Sequence, residues 1–387
     1  MSIRGKAFIA GVYEHPLREI PDRSSSQIQA EVAFGALADA GLTLADVDGY
    51  FTDSAHGFGG LSMADYLGLK LRHIDSTETG GSSYVVHVGH AAEAIAAGKC
   101  SVALITMAGR PRSAGMGMGR GGEPVPDSVF EGLWGMSGAV TGYALAATRH
   151  MYQYGTTSAQ MAEVKVAASL HAQHNPNAYL PKPVTVQEVL DSPMISSPLR
   201  RMDCCVVTDS GGAIVVVSPE VAASLDRTCV KVLGHGEAVK HADMGRLDLT
   251  YTGAVVSGPI AFEEAGVTRA DIKYASIYDS FTITVIETIE DLGFCAKGEG
   301  GRFVLDGALV APFGKLPFNT DGGGLCNNHP SNRGGVTKVI EAVRQLRGEA
   351  NGPTQVPNCN IALAHGTGGS IGTRMGSSTL ILGQEDA

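Results

Sequence analysis

A segment of this chain occurs twice, and that duplication limits the possible folds more than any other feature. Residues 40–53 read AGLTLADVDGYFTD and residues 265–279 read AGVTRADIKYASIYD. Ala40, Gly41, Thr43, Ala45 and Asp46 recur as Ala265, Gly266, Thr268, Ala270 and Asp271, at a constant offset of 225. In each copy the Gly reads as a helix end, the Thr-x-x-Asp as the start of a helical turn, and the next run as extended. Two further pairs follow in the same order: Lys99–Ile105 with Asn358–Ala364, and Gly211–Val217 with Gly376–Leu382. So long a period excludes a solenoid, whose units run to about 20–50 residues. The chain is a duplicated domain. Both copies alternate strands with helices, which predicts α/β architecture with a mixed sheet in each half.

The first copy predicts a helix from about Ser82 to Ala97, apolar nearly all round. Such a helix is buried on every side, as it would be between the sheets of two α/β halves. Its counterpart, about Gly335 to Leu346, carries Lys338, Glu341 and Arg344 and is less apolar. About a hundred residues separate the strands near 100–107 and 211–217, where the second copy has almost nothing. Insertions of this length between core strands usually shape a binding site.

Composition narrows the class further. Only 18% of the 387 residues are charged, against roughly 25% in a typical domain, so much of the surface is expected to be buried. The net charge of −10 comes without a basic block, which argues against nucleic acid as a partner. No apolar run reaches the ~18 residues of a membrane span, and the N-terminus lacks signal-peptide character. Seven cysteines with no C-x-x-C read as reduced thiols of a cytoplasmic protein, with no disulfide and no metal site. His87 and His90, three apart on one helix face, read as packing or hydrogen-bonded residues.

The insertion carries an ordered series: Tyr154-Gly155-Thr156-Thr157, His171-Ala172, Asn175-Pro176-Asn177-Ala178, Val189 to Ile195, Pro198-Leu199 and Asp203-Cys204-Cys205. With the duplication, this series resembles the thiolase superfamily in its sterol-carrier (lipid-transfer-protein) branch, over essentially the whole chain. The resemblance implies a thiolase fold: a duplicated, five-layered αβαβα arrangement with an inserted loop domain. The halves would be residues 1–108 with 203–225, and 226–387, the loop domain 109–202. It further implies a homodimer that acts on acyl-CoA, with coenzyme A as substrate and no tightly bound cofactor. A small zinc-ribbon/OB-fold subunit is implied as partner in a hetero-oligomer.

Several family positions depart from the pattern. The nucleophilic Cys at the start of the buried helix aligns with Gly81, in Glu78-Thr79-Gly80-Gly81-Ser82-Ser83. The branch's His-Asp-Cys-Phe is Tyr278-Asp279-Ser280-Phe281. Gly-His-Pro becomes Asn328-His329-Pro330, and Cys-x-Gly aligns with His365-Gly366-Thr367. The resemblance therefore implies chemistry without a cysteine attacker. Breaking a C–C bond beside a thioester leaves an enolate, whose oxygen needs a preorganised donor. His329 suits that task, with a water held by Asn328. Tyr278 and His365 are candidates for moving the proton; a free tyrosine ionises only near pH 10, so Tyr278 is a better acid than base unless a neighbour intervenes. Gly80, Gly81, Ser82 and Gly366 would form the nucleophile turn and oxyanion pocket. A nucleophilic Ser82 or Ser83 would need a nearby base. Arg110, Arg120 and Arg201 are candidates for the CoA phosphates.

The leading expectation is CoA-dependent thiolysis or Claisen chemistry on a β-oxo acyl-CoA. The acyl group is expected to be bulky, branched or aromatic, because the Gly80-Gly81 turn is small. Retro-aldol cleavage of a β-hydroxy acyl-CoA is the second expectation, and a non-catalytic acyl-CoA or lipid carrier the third.

Overall fold

The two copies build one continuous sheet. The computed structural model describes residues 2–53, 58–115, 132–133, 135–136, 138–241, 246–370 and 374–385. The strands are β1 (Phe8–Glu14), β2 (Gly49–Phe51), β3 (His73–Asp75), β4 (Val102–Gly109), β5 (Met194–Ser196), β6 (Leu199–Arg200), β7 (Ser210–Val217), β8 (Val230–Lys240), β9 (Tyr274–Ile277), β10 (Ile361–Ser370) and β11 (Arg374–Gly383). Nine of them pair in the order β3-β2-β4-β7-β1-β8-β11-β10-β9, while β5 and β6 form a separate ribbon. The order β2-β4-β7-β1 in one half is repeated as β9-β10-β11-β8 in the other. Each set has one parallel pair, β2 with β4 or β9 with β10, followed by antiparallel pairs. The halves join where β1 meets β8, at Phe8↔Lys231 and Ile9↔Val230.

Local chemistry explains why the repeated segment folds alike twice. The long helices are α1 (Ser25–Ala40), α2 (Ser83–Ala96), α3 (Gly138–Tyr154), α4 (Ser158–Ala172), α5 (Ala254–Ala265), α6 (Thr282–Asp291) and α7 (Gly335–Arg347). Helices α1 and α5 both stop at a left-handed glycine, Gly41 at φ 71° and Gly266 at φ 63°, a conformation that costs other residues energy. Next, the Asp46 carboxylate accepts the Thr43 N–H at 2.8 Å, and Asp271 accepts that of Thr268 at 2.7 Å. Strands β2 and β9 then begin at Gly49 and Tyr274, the same offset of 225.

Side-chain alternation sorts the core into layers. Ala103 and Ile105 of β4, Ile214 and Val216 of β7, Ala362 and Ala364 of β10, and Leu380 and Leu382 of β11 share one cluster with α2 and α7. The intervening residues face outward. Leu104 and Val215 meet Val32, Ala36 and Leu37 of α1, whereas Leu363 and Ile381 meet Ala261 and Phe262 of α5. Outer helix, half-sheet, central helix pair, half-sheet and outer helix give the five layers of αβαβα. The segment between β4 and β7 contributes α3 and α4, which pack on α6 through Tyr143, Met161, Phe281 and Ile286. In the second half β10 runs directly into an antiparallel β11.

The central pair departs from the sequence expectation in one respect. Helix α7 is as buried as α2, despite its charges: Lys338 is 1% exposed and Glu341 0%. Each charge has a partner. Lys338 Nζ lies 3.1 Å from Asp279 Oδ1, Glu341 Oε1 accepts from Thr320 Oγ1 at 2.6 Å, and Arg344 spans Glu341 and Glu14 at 3.4 Å each. Burial works against the Lys338 ammonium, but Asp279 and Asp321 outweigh it and hold its pKa above the ordinary value. Among the described residues no helix is long and apolar enough to cross a membrane, and no group of three His, Cys, Asp or Glu side chains is placed to hold a metal. All seven cysteines are free thiols.

Removing one member of a buried ion pair strands the other charge, at a cost of about 3–5 kcal/mol. Lys338→Met is therefore expected to lower the denaturation midpoint by an amount corresponding to several kcal/mol. Lys99→Met, at an exposed lysine, is expected to stay within about 0.5 kcal/mol of the parent.

Candidate active site

The turn that opens α2 is built from glycines because other chain segments press on it. Gly80–Ser82 form a short 3₁₀ turn leading into the helix. A Cβ on Gly81 would lie 2.5 Å from the Tyr278 ring and 2.3 Å from the Thr367 carbonyl oxygen. One on Gly368 would lie 1.7 Å from the Thr79 carbonyl oxygen, and one on Gly366 2.8 Å from Ser82 Cα. Real Cβ contacts do not come this close, so the turn and β10 fit only as glycines. The room expected at Gly80-Gly81 is therefore absent: the phenol of Tyr278 and the glycine run of β10 fill it.

Tyr278 follows directly on β9, and its N–H donates to the His365 carbonyl at 2.9 Å. The next residue sets the second wall. The Asp279 carboxylate accepts the N–H groups of Gly324 at 2.8 Å and Leu325 at 3.0 Å, besides its ion pair with Lys338. These bonds hold the π-helical turn Gly323–Asn327 and so fix where the following residues emerge. The His329 N–H donates to Thr208 Oγ1 at 2.9 Å, and its ring turns to Tyr278. The phenol oxygen and His329 Nε2 are 2.8 Å apart, with the rings 5.5 Å between centroids and inclined at 64°.

Burial sets the protonation of this pair. It pushes the Tyr278 phenol well above the usual tyrosine range and His329 down to about 4. Both groups are neutral at pH 7. A neutral imidazole has one donor and one acceptor nitrogen; with the proton on Nδ1, the phenol donates to Nε2. Beside the pair lies a cavity of ≈110 Å³. Gly81, Tyr278 and His329 line it together with Ala139, Tyr143, Phe281, Asn332 and Gly368.

Other residues singled out in the sequence lie elsewhere. Asn328 does not face the cavity. Its amide donates to Glu14 Oε1 at 2.8 Å and Ser210 Oγ at 3.0 Å, and its oxygen accepts from Thr208 at 2.8 Å. It positions the turn and is not placed to hold a catalytic water. His365 shares its strand face with Leu363, one pleat below the cavity. It is fully buried, with Thr379 Oγ1 2.9 Å from Nδ1 and Ser377 Oγ 3.3 Å from Nε2, and burial lowers its pKa to about 3. Ser82 Oγ donates to the Thr79 carbonyl at 2.8 Å and Ser83 Oγ to that of Gly80 at 2.8 Å; both brace the turn. Gly80 borders a wider neighbouring cavity with Thr79, Lys240, Gly369 and Gly376. Gly366 backs the turn through Ser82.

Nor do the two described arginines, Arg110 and Arg201, line the cavity. Arg110 donates to the carbonyls of Ile20 and Pro21, at 2.9 Å each, so it secures the N-terminal segment. Arg201 is exposed and lines none of the cavities described. Arg120 lies outside the described residues. Burial raises all seven cysteine thiols above their ordinary pKa, so none is held as a ready thiolate.

Sequence reasoning missed Tyr143 and Ala139, which α3 brings to the cavity. They occur in no motif, and only the packing of α3 on β10 and α6 puts them there. Phe281 and Thr367 lay inside recognised motifs but carried no signal of their own.

Comparison with known proteins bears on the fold that carries this site. Residues 236–384 match a family described as thiolase C-terminal domain-like. The chain is 33% identical to an acetyl-CoA acetyltransferase of Methanothermobacter thermautotrophicus, over 94% of this chain and 97% of the relative. It is also 33% identical to a 17-hydroxy-3-oxo-4-pregnene-20-carboxyl-CoA lyase of Mycobacterium tuberculosis, over 98% of this chain and 100% of the relative. A solved structure titled Ltp2-ChsH2(DUF35) aldolase superposes with a TM-score of 0.87 at 32% identity, covering 99% of each chain.

The overlap at Gly81 predicts a specific coupling. Gly81→Ala should destabilise the protein by about 1–3 kcal/mol, the usual cost of overpacking. Combining it with Tyr278→Ala should recover most of that loss, because the two positions compete for one space. Thermal unfolding of the four proteins in the cycle measures the coupling; additive effects would contradict the overlap.

Proposed function

We propose that this chain, which belongs to the thiolase superfamily in its sterol-carrier branch, cleaves a β-hydroxy acyl-CoA by a retro-aldol step carried by Tyr278 and His329. One observation carries the reading: the phenol of Tyr278 fills the space a side chain at position 81 would need, and it is hydrogen-bonded to a neutral imidazole.

A tyrosine is a poor base alone, but the imidazole changes that. As the phenol oxygen takes the proton of the substrate's β-hydroxyl, Tyr278 passes its own proton to His329 Nε2. The β-oxygen forms a carbonyl bond, the Cα–Cβ bond breaks, and its electron pair moves into the thioester as an enolate. The products are a ketone or aldehyde and, once the proton returns to Cα, a shorter acyl-CoA. The nearby Asp279 carboxylate favours the transient imidazolium, while Lys338 opposes it. The N-terminal turn of α2, the positive end of that helix, borders the cavity where the enolate oxygen would develop. Coenzyme A enters only as part of the substrate, and no residue of this chain forms a covalent intermediate.

The solved aldolase it resembles is titled as a pair with a DUF35 subunit. That supports a hetero-oligomer in which two copies of this chain pair with a small zinc-ribbon/OB-fold partner.

Incubating the assembled protein with a β-hydroxy acyl-CoA should give one carbonyl product per shorter acyl-CoA, with free CoA unconsumed. Consumption of one free CoA per turnover, on a β-oxo ester, would establish thiolysis instead. Tyr278→Phe and His329→Ala are each expected to lower kcat by roughly 10²–10⁴-fold, the range of a lost acid–base group. Unchanged rates would return the carrier reading.

The pH dependence follows from the buried imidazole. His329 must be neutral to accept the proton, and its pKa is pulled down to about 4. The acid limb of kcat/KM, which reports the free enzyme, should therefore fall near pH 4, leaving the rate flat from about pH 5.5 to 7.5, one unit on either side of an ordinary histidine pKa. A half-fall near 6.5 would contradict the assignment.

A further inference from the structure

The groups that would perform the chemistry and those that bound the remainder of the cavity come from different parts of the chain. Tyr278 and His329 belong to the second half, on a strand end and a stapled turn. The lining also includes Tyr143 and Ala139, four residues apart and thus on one face of α3, which lies between β4 and β7. The Tyr143 ring packs against Phe281, with centroids 4.2 Å apart and planes at 33°, and it is 3% exposed. Phe281 is itself 1% exposed and lies in the core cluster shared with α6, so the tyrosine ring is backed and cannot swing aside without opening the core. Ala139, one turn earlier, presents only a methyl group to the cavity. A substrate carbon beside the Tyr278–His329 pair would thus set its substituent against Ala139 and the Tyr143 ring.

We propose that Tyr143 is the specificity-determining residue of this cavity: its ring, not its hydroxyl, limits the size of the group on the β-carbon. The proposal rests on the retro-aldol reading only for which carbon lies beside the phenol. Small apolar differences of this kind are resolved by pocket walls to roughly 10–200-fold.

Binding tests the proposal independently of turnover. The full chain, co-expressed with its partner subunit, would be titrated calorimetrically with two uncleavable CoA thioethers, one with an isobutyl and one with a cyclohexylmethyl tail. The ratio of their Kd values is the readout. Tyr143→Ala is expected to shift it at least ~10-fold toward the cyclohexylmethyl tail. Ala139→Leu, which fills the neighbouring space, should shift it toward isobutyl, and it decides the matter if Tyr143→Ala does not fold. Tyr143→Phe should leave the ratio unchanged. An unchanged ratio in Tyr143→Ala and Ala139→Leu overturns the proposal, as does a shift in Tyr143→Phe as large as in Tyr143→Ala. Failure of the parent protein to cleave β-hydroxy esters sinks the reaction assigned above but leaves this ratio to be read.

Discussion

The phenol of Tyr278 stands where a side chain on Gly81 would have to go, and most of the site follows from that exclusion. A glycine at the head of α2 lets the ring approach; the ring in turn leaves no room for a sulfur attacker. Because the phenol is buried, it does not ionise freely, and His329 is the group to which it is hydrogen-bonded. In the proposed mechanism the neutral pair acts as a proton relay and the thioester of the substrate accepts the electrons.

That pair is held by polar contacts within the second half and across to the first. Asp279 staples the turn ahead of His329 and is neutralised by Lys338 from the central helix. Asn328 ties the same turn to Glu14 of β1, which also receives Arg18 and Arg344. Buried charges of this kind are costly unless fully partnered. Here they tie strands, turn and helix α7 into one arrangement around the histidine, which explains why a helix with four charges can lie in the middle of the protein.

Much of the architecture was legible in the sequence because its determinants are local. The Gly41 and Gly266 helix ends and the paired Thr–Asp caps use neighbouring residues only, so the offset of 225 carried straight into β2 and β9. The Tyr278 and His329 candidates were legible through motif position. What the sequence concealed depended on contacts between distant segments. Two adjacent glycines look like open space until the ring that fills it is known. Asn328 and His365 belong to the right motifs but turn to Glu14 and Thr379, and the face of β10 that looks toward the cavity cannot be read from an Ala-Leu-Ala-His alternation. Tyr143 was hidden for the opposite reason: nothing in its helix marks it, and only the packing of α3 beside Phe281 brings it to the site. Lys338 and Glu341 made their helix look less apolar than its counterpart, because their partners lie 59 and 21 residues away.

The central claim is that this thiolase-fold protein breaks a C–C bond without ever carrying the acyl group. Intact-protein mass spectrometry of the assembled enzyme, acid-quenched during steady turnover of its acyl-CoA substrate, tests it most directly. The account predicts an unmodified chain at every time point. A mass increase equal to the acyl group, mapped to any of the seven cysteines or to Ser82 or Ser83, would contradict it.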